Sequence, residues 1–176
     1  MANTTWAIDA SHSEIQFKVK HLVITTVTGH FKEFSGSVEA GDSFENATIS
    51  FEAKTDSINT NSEQRDAHLK SADFFDAEQF PTLSFTSTEF KKTSDDEFSL
   101  TGNLTMKGTT LPVTLAVEYG GTATDPWGNV KAGFELTGKI NRKDFGLSWN
   151  AITEAGSALV SEEVKLIANI QLVKQA

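Results

Sequence analysis

The feature that most limits what this chain can become is alternation. Apolar side chains recur at every second position in Val164, Leu166, Ala168, Ile170 and Leu172 near the C-terminus, and in Ile15, Phe17 and Val19 near the N-terminus. The same period runs through Ala47, Ile49, Phe51 and Ala53, through Phe98, Leu100, Leu104 and Met106, through Leu111, Val113, Leu115 and Val117, and through Val130, Ala132, Phe134 and Leu136. Successive side chains of an extended strand point to opposite faces, so each run lays one apolar face against a core. Two further segments, 29–39 and 81–90, alternate less strictly and bring the count to about eight strands. Most connections are of hairpin length, and no helix appears at the spacing of a βαβ unit, which argues against a parallel sheet. A β-sandwich and an up-and-down barrel both remain open, since each buries the apolar faces. Glycines 36, 102, 133 and 138 suit the sharp coiling that closes a barrel.

One long stretch, 57–81, does not read as strand. It carries Arg65, one of only two arginines, with Asp66, His68, Phe74 and Phe75. The spacing predicts a short helix with Asn61 as N-cap and Gln64 three residues on, an Asp66 to Lys70 pair, and an apolar stripe of Leu69, Ala72 and Phe75. A second irregular stretch, 141–161, holds the other arginine, Arg142. If the strands run up and down, the connections at 22–28, 56–81, 107–110 and 142–162 share one end. That end then gathers both arginines, His21, His30 and His68, and looks like a mouth; the other looks like a floor.

Several functions are disfavoured at once. The 176 residues suffice for one domain, 1–176, with a core rich in its thirteen phenylalanines. A formal charge of −9 disfavours nucleic acid, whose binding needs clustered Lys and Arg. The absence of cysteine removes disulfides, thiolate nucleophiles and Cys-ligated metals. Nowhere do eighteen apolar residues follow one another, which argues against a spanning helix, and the first residues lack the basic and apolar regions of a secretory signal. The expectation is a soluble, cytoplasmic protein. His12, His21 and His30 lie nine apart, no HxH or HExxH occurs, and no metal or cofactor is expected. Asp66, His68 and Ser71, two and three apart on a helix, do not make a line of nucleophile, base and orienter, so no catalytic residue is assigned.

Read end to end, the chain resembles the YceI family of polyisoprenoid-binding-like, lipid-binding proteins. The likeness lies in Trp6-Ala-Ile-Asp9 followed by His12-Ser13, in Phe17-Lys-Val-Lys-His21, and in Val27-Thr-Gly29-His-Phe31 with Gly36. It continues in Arg65-Asp66-Ala-His68-Leu69, Asp73-Phe74-Phe75, Phe80-Pro81 and Gly102-Asn-Leu104 with Gly108, and closes with Asn141-Arg142-Lys-Asp144-Phe145-Gly146-Leu147. The resemblance implies an all-β, lipocalin-like antiparallel barrel capped by the short helix, commonly a homodimer, holding a polyisoprenoid or fatty-acid derivative without catalysis. On that reading a tail lies among Phe17, Val19, Phe51, Phe85, Leu104, Leu115 and Phe134. A polar head sits near Arg65, His68 and Arg142, and His21, Phe31 and Phe74 complete the ligand-binding set. Two alternatives are a hydrolase or isomerase using His21 or His68 as base at the mouth, and a filled barrel serving as a stress-related interaction module.

Overall fold

The alternating runs become strands of one antiparallel sheet in the computed structural model, which describes residues 4–21, 24–41, 44–147 and 160–175. In chain order these are β1 (Thr4–Ile8), β2 (Glu14–His21), β3 (Thr25–Phe31), β4 (Phe34–Ala40), β5 (Thr48–Lys54), β6 (Ile58–Asn59), β7 (Thr82–Lys92), β8 (Glu97–Met106), β9 (Thr109–Thr124), β10 (Val130–Asn141) and β11 (Glu163–Lys174). The single α-helix among the described residues is α1 (Glu63–Lys70). The strands β1, β4, β5, β7, β8, β9, β10 and β11 neighbour one another in that order, and β1 closes the ring on β11 through Trp6 opposite Lys174 and Ile8 opposite Leu172. The result is a closed, eight-stranded, up-and-down antiparallel barrel.

Three of its staves are broken. β2 resumes β1 after a 3-10 turn over Ala10–His12 and pairs with β11 further along, at Lys165 to Asn169. β4 resumes β3 after Lys32 and Glu33, and β6 resumes β5 after the 3-10 turn Thr55–Ser57. The expected strand over 29–39 is therefore two: it starts earlier, at Thr25, because Thr25 to Thr28 extend the ladder with Lys18 to His21, and it breaks before Phe34. β6 pairs only with β3, whereas β7 pairs with β5 as far as Lys54 opposite Thr82. The wall is thus a complete ring below and open between β6 and β7 above. At the foot of the opening the fully buried Thr55 donates its N–H to the Pro81 carbonyl (3.0 Å) and its hydroxyl to that of Phe80 (2.8 Å).

The segment 60–81 covers this opening. Phe75 stacks edge-on against Phe31 of β3 (5.7 Å between centroids), and Lys107, in the β8–β9 turn, donates to the carbonyls of Ala72 (2.8 Å) and Gly146 (3.4 Å). Ser161 donates its N–H to the Lys20 carbonyl at the top of β2. The odd-numbered connections of the meander therefore share one end. Within the lid two details differ from expectation. The N-cap is Ser62, whose hydroxyl accepts from Arg65 N–H, because Asn61 sits at φ +64° and an N-cap requires extended backbone. Asp66 does not pair with Lys70; it is buried against Thr60. Ala72 is exposed, while Phe75 is buried.

The opposite end is closed by aromatic rings. Phe44, in the β4–β5 turn, packs against Trp6 (5.2 Å), Tyr119 (5.7 Å) and Phe134 (5.1 Å), and its own backbone lies at φ +61°. Inside the wall, glycines make room for large neighbours: a methyl at Gly102 would collide with the Phe85 ring, and one at Gly138 with Leu115. Gly133 instead marks a register shift between β9 and β10, the bend that barrel coiling requires.

Asp9 ties the β1–β2 break to the wall. Its carboxylate accepts from Ser11 N–H (3.1 Å) and hydroxyl (2.7 Å), contacts His12 Nδ1 (2.9 Å) and accepts from Lys131 Nζ (3.1 Å). Ser11 most strongly, then His12, with burial opposing and Lys131 adding, hold this carboxyl well below the usual carboxylate range. A depressed folded-state pKa stabilises the fold above the unfolded value of about 3.9 and stops doing so as pH falls through the folded one. Asp9→Asn should therefore cost ~2 kcal/mol at neutral pH. In urea titrations across pH, the gap from wild type should hold steady down to about pH 4.5 and narrow below it.

Candidate functional site

The inward faces of the barrel strands do not meet across the axis. They surround a cavity of about 1250 Å³ of atom-free space, counting what opens to solvent. Phe17, Phe31, Phe51, Phe85, Leu104, Leu115 and Phe134 all line it, and among the described residues no charged side chain does. The aromatic floor bounds it below through Phe44. A second chamber of about 1070 Å³, measured in the same way, lies beneath the lid. Val19, Arg65, His68, Phe74 and Arg142 line this one, and Phe17 and Phe31 reach into both. His21 lies in β2, but its side chain falls outside the described residues, as does 148–159 of the second irregular segment.

Among the described residues, every ionisable side chain lining the lid chamber is basic: Lys20, Arg65, His68 and Arg142. Lys20 directs its ammonium to the Thr26 hydroxyl (2.9 Å) on the neighbouring strand. Arg65 turns back on the entry to its own helix, donating Nε–H to the Thr60 hydroxyl (2.8 Å) and Nη2–H to the Thr60 carbonyl (2.6 Å). Thr60 in turn donates its N–H (2.8 Å) and hydroxyl (2.5 Å) to Asp66 Oδ1. Thr60 and Asp66 are buried and Arg65 is exposed, and together they fix the angle at which α1 leaves β6.

Arg142 opens a 3-10 turn (Arg142–Phe145) capped by the Asn141 side chain and ended by Gly146 at φ +81°. It is 4% exposed. Its Nε–H donates to Ser161 O (2.8 Å), Nη1–H to Leu147 O (2.6 Å) and Nη2–H to Val160 O (3.2 Å), and the guanidinium lies 5.9 Å from the centre of the Phe74 ring. Burial pulls its pKa below the ordinary value while Glu162 opposes the shift, and an arginine so placed remains a cation. Carbonyl oxygens accept from its N–H groups and fix the guanidinium at the chamber wall.

His68 meets Asp73 Oδ2 through Nε2 (2.9 Å) and sets its ring edge-on to Phe74 (5.1 Å). That makes a base with an orienting carboxylate. Ser71 supplies no nucleophile to it, since its hydroxyl donates to the His68 carbonyl (2.5 Å). His30 contacts Gln16 and His12 contacts Asp9. Sequence parity reaches most wall residues it did not single out, Ile49, Leu83 and Leu136 among them, because they alternate in register with those it did. It misses Phe44, a turn residue outside any alternation, and Met106 and Leu166 as members of both chambers, which depends on curvature.

The YceI-like domain model matches residues 6–172. Protein YceI of Salmonella newport (strain SL254) is 40% identical over 168 residues, covering 95% of this chain and 84% of that protein. The crystal structure of a Campylobacter jejuni YCEI protein aligns with TM-score 0.78 and 33% identity over 89% of this chain and 90% of that one. Burkholderia cenocepacia BcnA (TM-score 0.80, 20% identity, 93% and 98% of the two chains) shares the fold. So does a polyisoprenoid binding domain from Saccharophagus degradans implicated in plant cell wall breakdown (TM-score 0.68, 15% identity, 98% and 99%). With sequence likeness across nearly its whole length and the barrel to match, the chain belongs to the YceI-like family.

Proposed function

We propose that this protein binds a long-chain lipid, a polyisoprenoid or fatty-acid derivative, without catalysis, its tail in the barrel and its polar head under the lid. The observation that carries the reading is the pairing of chambers: among the described residues, a wall without a charged side chain continues into a space whose ionisable side chains are all basic. A tail of sixteen carbons buried at ~0.8 kcal/mol per methylene gains roughly 12 kcal/mol before association costs, against about 1.5–3 for one hydrogen bond from arginine to a charged head. The tail sets affinity, and Arg65, His68 and Arg142 select the head. An anionic head fits best against the basic side chains Lys20, Arg65, His68 and Arg142 that line the lid chamber.

Organic extraction of the purified protein followed by lipid mass spectrometry tests this reading. A stoichiometric apolar chain is expected. A protein that yields none, and takes up none when offered carboxylates and prenyl phosphates, is not a carrier. The His68 and Asp73 pair motivates the enzymatic alternative, a lipid hydrolase or isomerase at the mouth. Ester and pyrophosphate panels should show no turnover that His68→Ala abolishes. The homodimer implied by family likeness belongs to the same proposal, with light scattering after size exclusion as its measurement.

A further inference from the structure

The two chambers share four lining residues, Phe17, Phe31, Met106 and Leu166. They form the waist through which a chain lying in both chambers must pass. Phe17 and Gly29 are direct partners across β2 and β3, and Leu166 partners Phe17 from β11. The Phe17 ring occupies the space where a side chain at position 29 would begin: its Cζ and both Cε atoms fall within collision range of a Cβ built there. The ring therefore lies folded against the β3 wall, and it can do so only because residue 29 is glycine. Phe31, two residues on, holds the other side, with its ring 5.8 Å from that of Phe17 and 5.7 Å from Phe75 of the lid.

We propose that Phe17 and Gly29 set the bore of the cavity and so decide how long a chain the protein accepts. This rests on the reading of the cavity as a lipid site. With the ring laid flat on Gly29, a tail passes from the lid chamber into the barrel. A Cβ at position 29 lifts the ring off the wall toward the axis, confining ligands to the lid chamber. Each methylene that no longer reaches the barrel then costs about a fourfold loss of affinity, and three of them about fiftyfold.

The test is calorimetric titration of octanoate, laurate, palmitate and stearate into wild type, Gly29→Ala, Phe17→Ala and the double variant, with thermal melts to confirm folding. Gly29→Ala is expected to weaken palmitate and stearate by about fiftyfold or more while leaving octanoate within about twofold. The double variant, which removes the ring that the new methyl displaces, restores the long chains. Phe17→Ala alone widens the bore and shifts preference toward stearate, which keeps the idea testable should Gly29→Ala fail to fold. Equal weakening of all four chains by Gly29→Ala, or a double variant no better than the single one, overturns the bore and leaves the carrier reading intact. A wild type that binds none of the four overturns the bore for these chains, and the carrier reading falls with it only if extraction and prenyl phosphates also yield nothing.

Discussion

Arg142→Met should lower the stability of this protein by ~3–5 kcal/mol, which for a chain of this size is a drop in melting temperature on the order of 10 °C. The side chain is the junction of three carbonyl groups, from Leu147 on one flank of 148–159 and from Val160 and Ser161 on the other. Methionine fills comparable volume and carries no donor, so buried oxygens lose partners while packing is largely kept. The loss is one of hydrogen bonding and of the cation above Phe74. Arg142→Lys keeps the charge but replaces a planar fork by a point, and it should recover less than half of the difference. Urea unfolding of the three proteins measures this. A methionine variant with the wild-type midpoint would show that water replaces the guanidinium at little cost.

Phe44→Ala should cost a similar ~3–5 kcal/mol, because a large ring leaves the bottom of a hollow barrel and its three aromatic neighbours have nothing to collapse onto. A companion substitution separates packing from backbone. Glycine is ordinarily worse than alanine by roughly 0.5–1 kcal/mol, but at φ +61° alanine is the strained residue. Phe44→Gly should therefore be no less stable than Phe44→Ala. If glycine proves worse by the usual margin, the left-handed conformation at this turn is not a property of the folded protein in solution.

The wall of the barrel was legible because its period is two and its apolar residues are large: once Phe51, Phe85, Leu104 and Phe134 are placed on one face, their neighbours in register follow. Parity also placed both arginines at one end. What alternation does not locate is a short break that shifts parity. Inward positions are odd through Phe31 and Ala53 and even from Phe34 and Ile58, so 29–39 reads as one loosely alternating strand where the chain has two, and the two-residue β6 is lost within a stretch that reads as non-strand. The helix cap was misplaced by one residue because Asn61 and Ser62 are both good caps by composition, and only the backbone angle at Asn61 tells them apart. The fates of Arg65 and Asp66 depend on Thr60, a residue without chemistry of its own that accepts from the one and donates to the other.

The incomplete upper ring has a kinetic consequence. A tube closed by hydrogen bonds all around releases a threaded chain only end-on, so the whole tail must be withdrawn before any of it is free. Here the ladder between the third and fourth staves stops at Lys54 and Thr82, and above the Thr55 anchor the wall is bridged by side chains of the 60–81 segment instead of by paired backbone. Parting that seam breaks no sheet ladder, so it should open at lower free energy than the staves around it, and its amides should exchange with solvent ahead of theirs. On the proposed lipid reading, a tail leaving by that route would peel away sideways a few methylenes at a time, which divides one high barrier into several low ones.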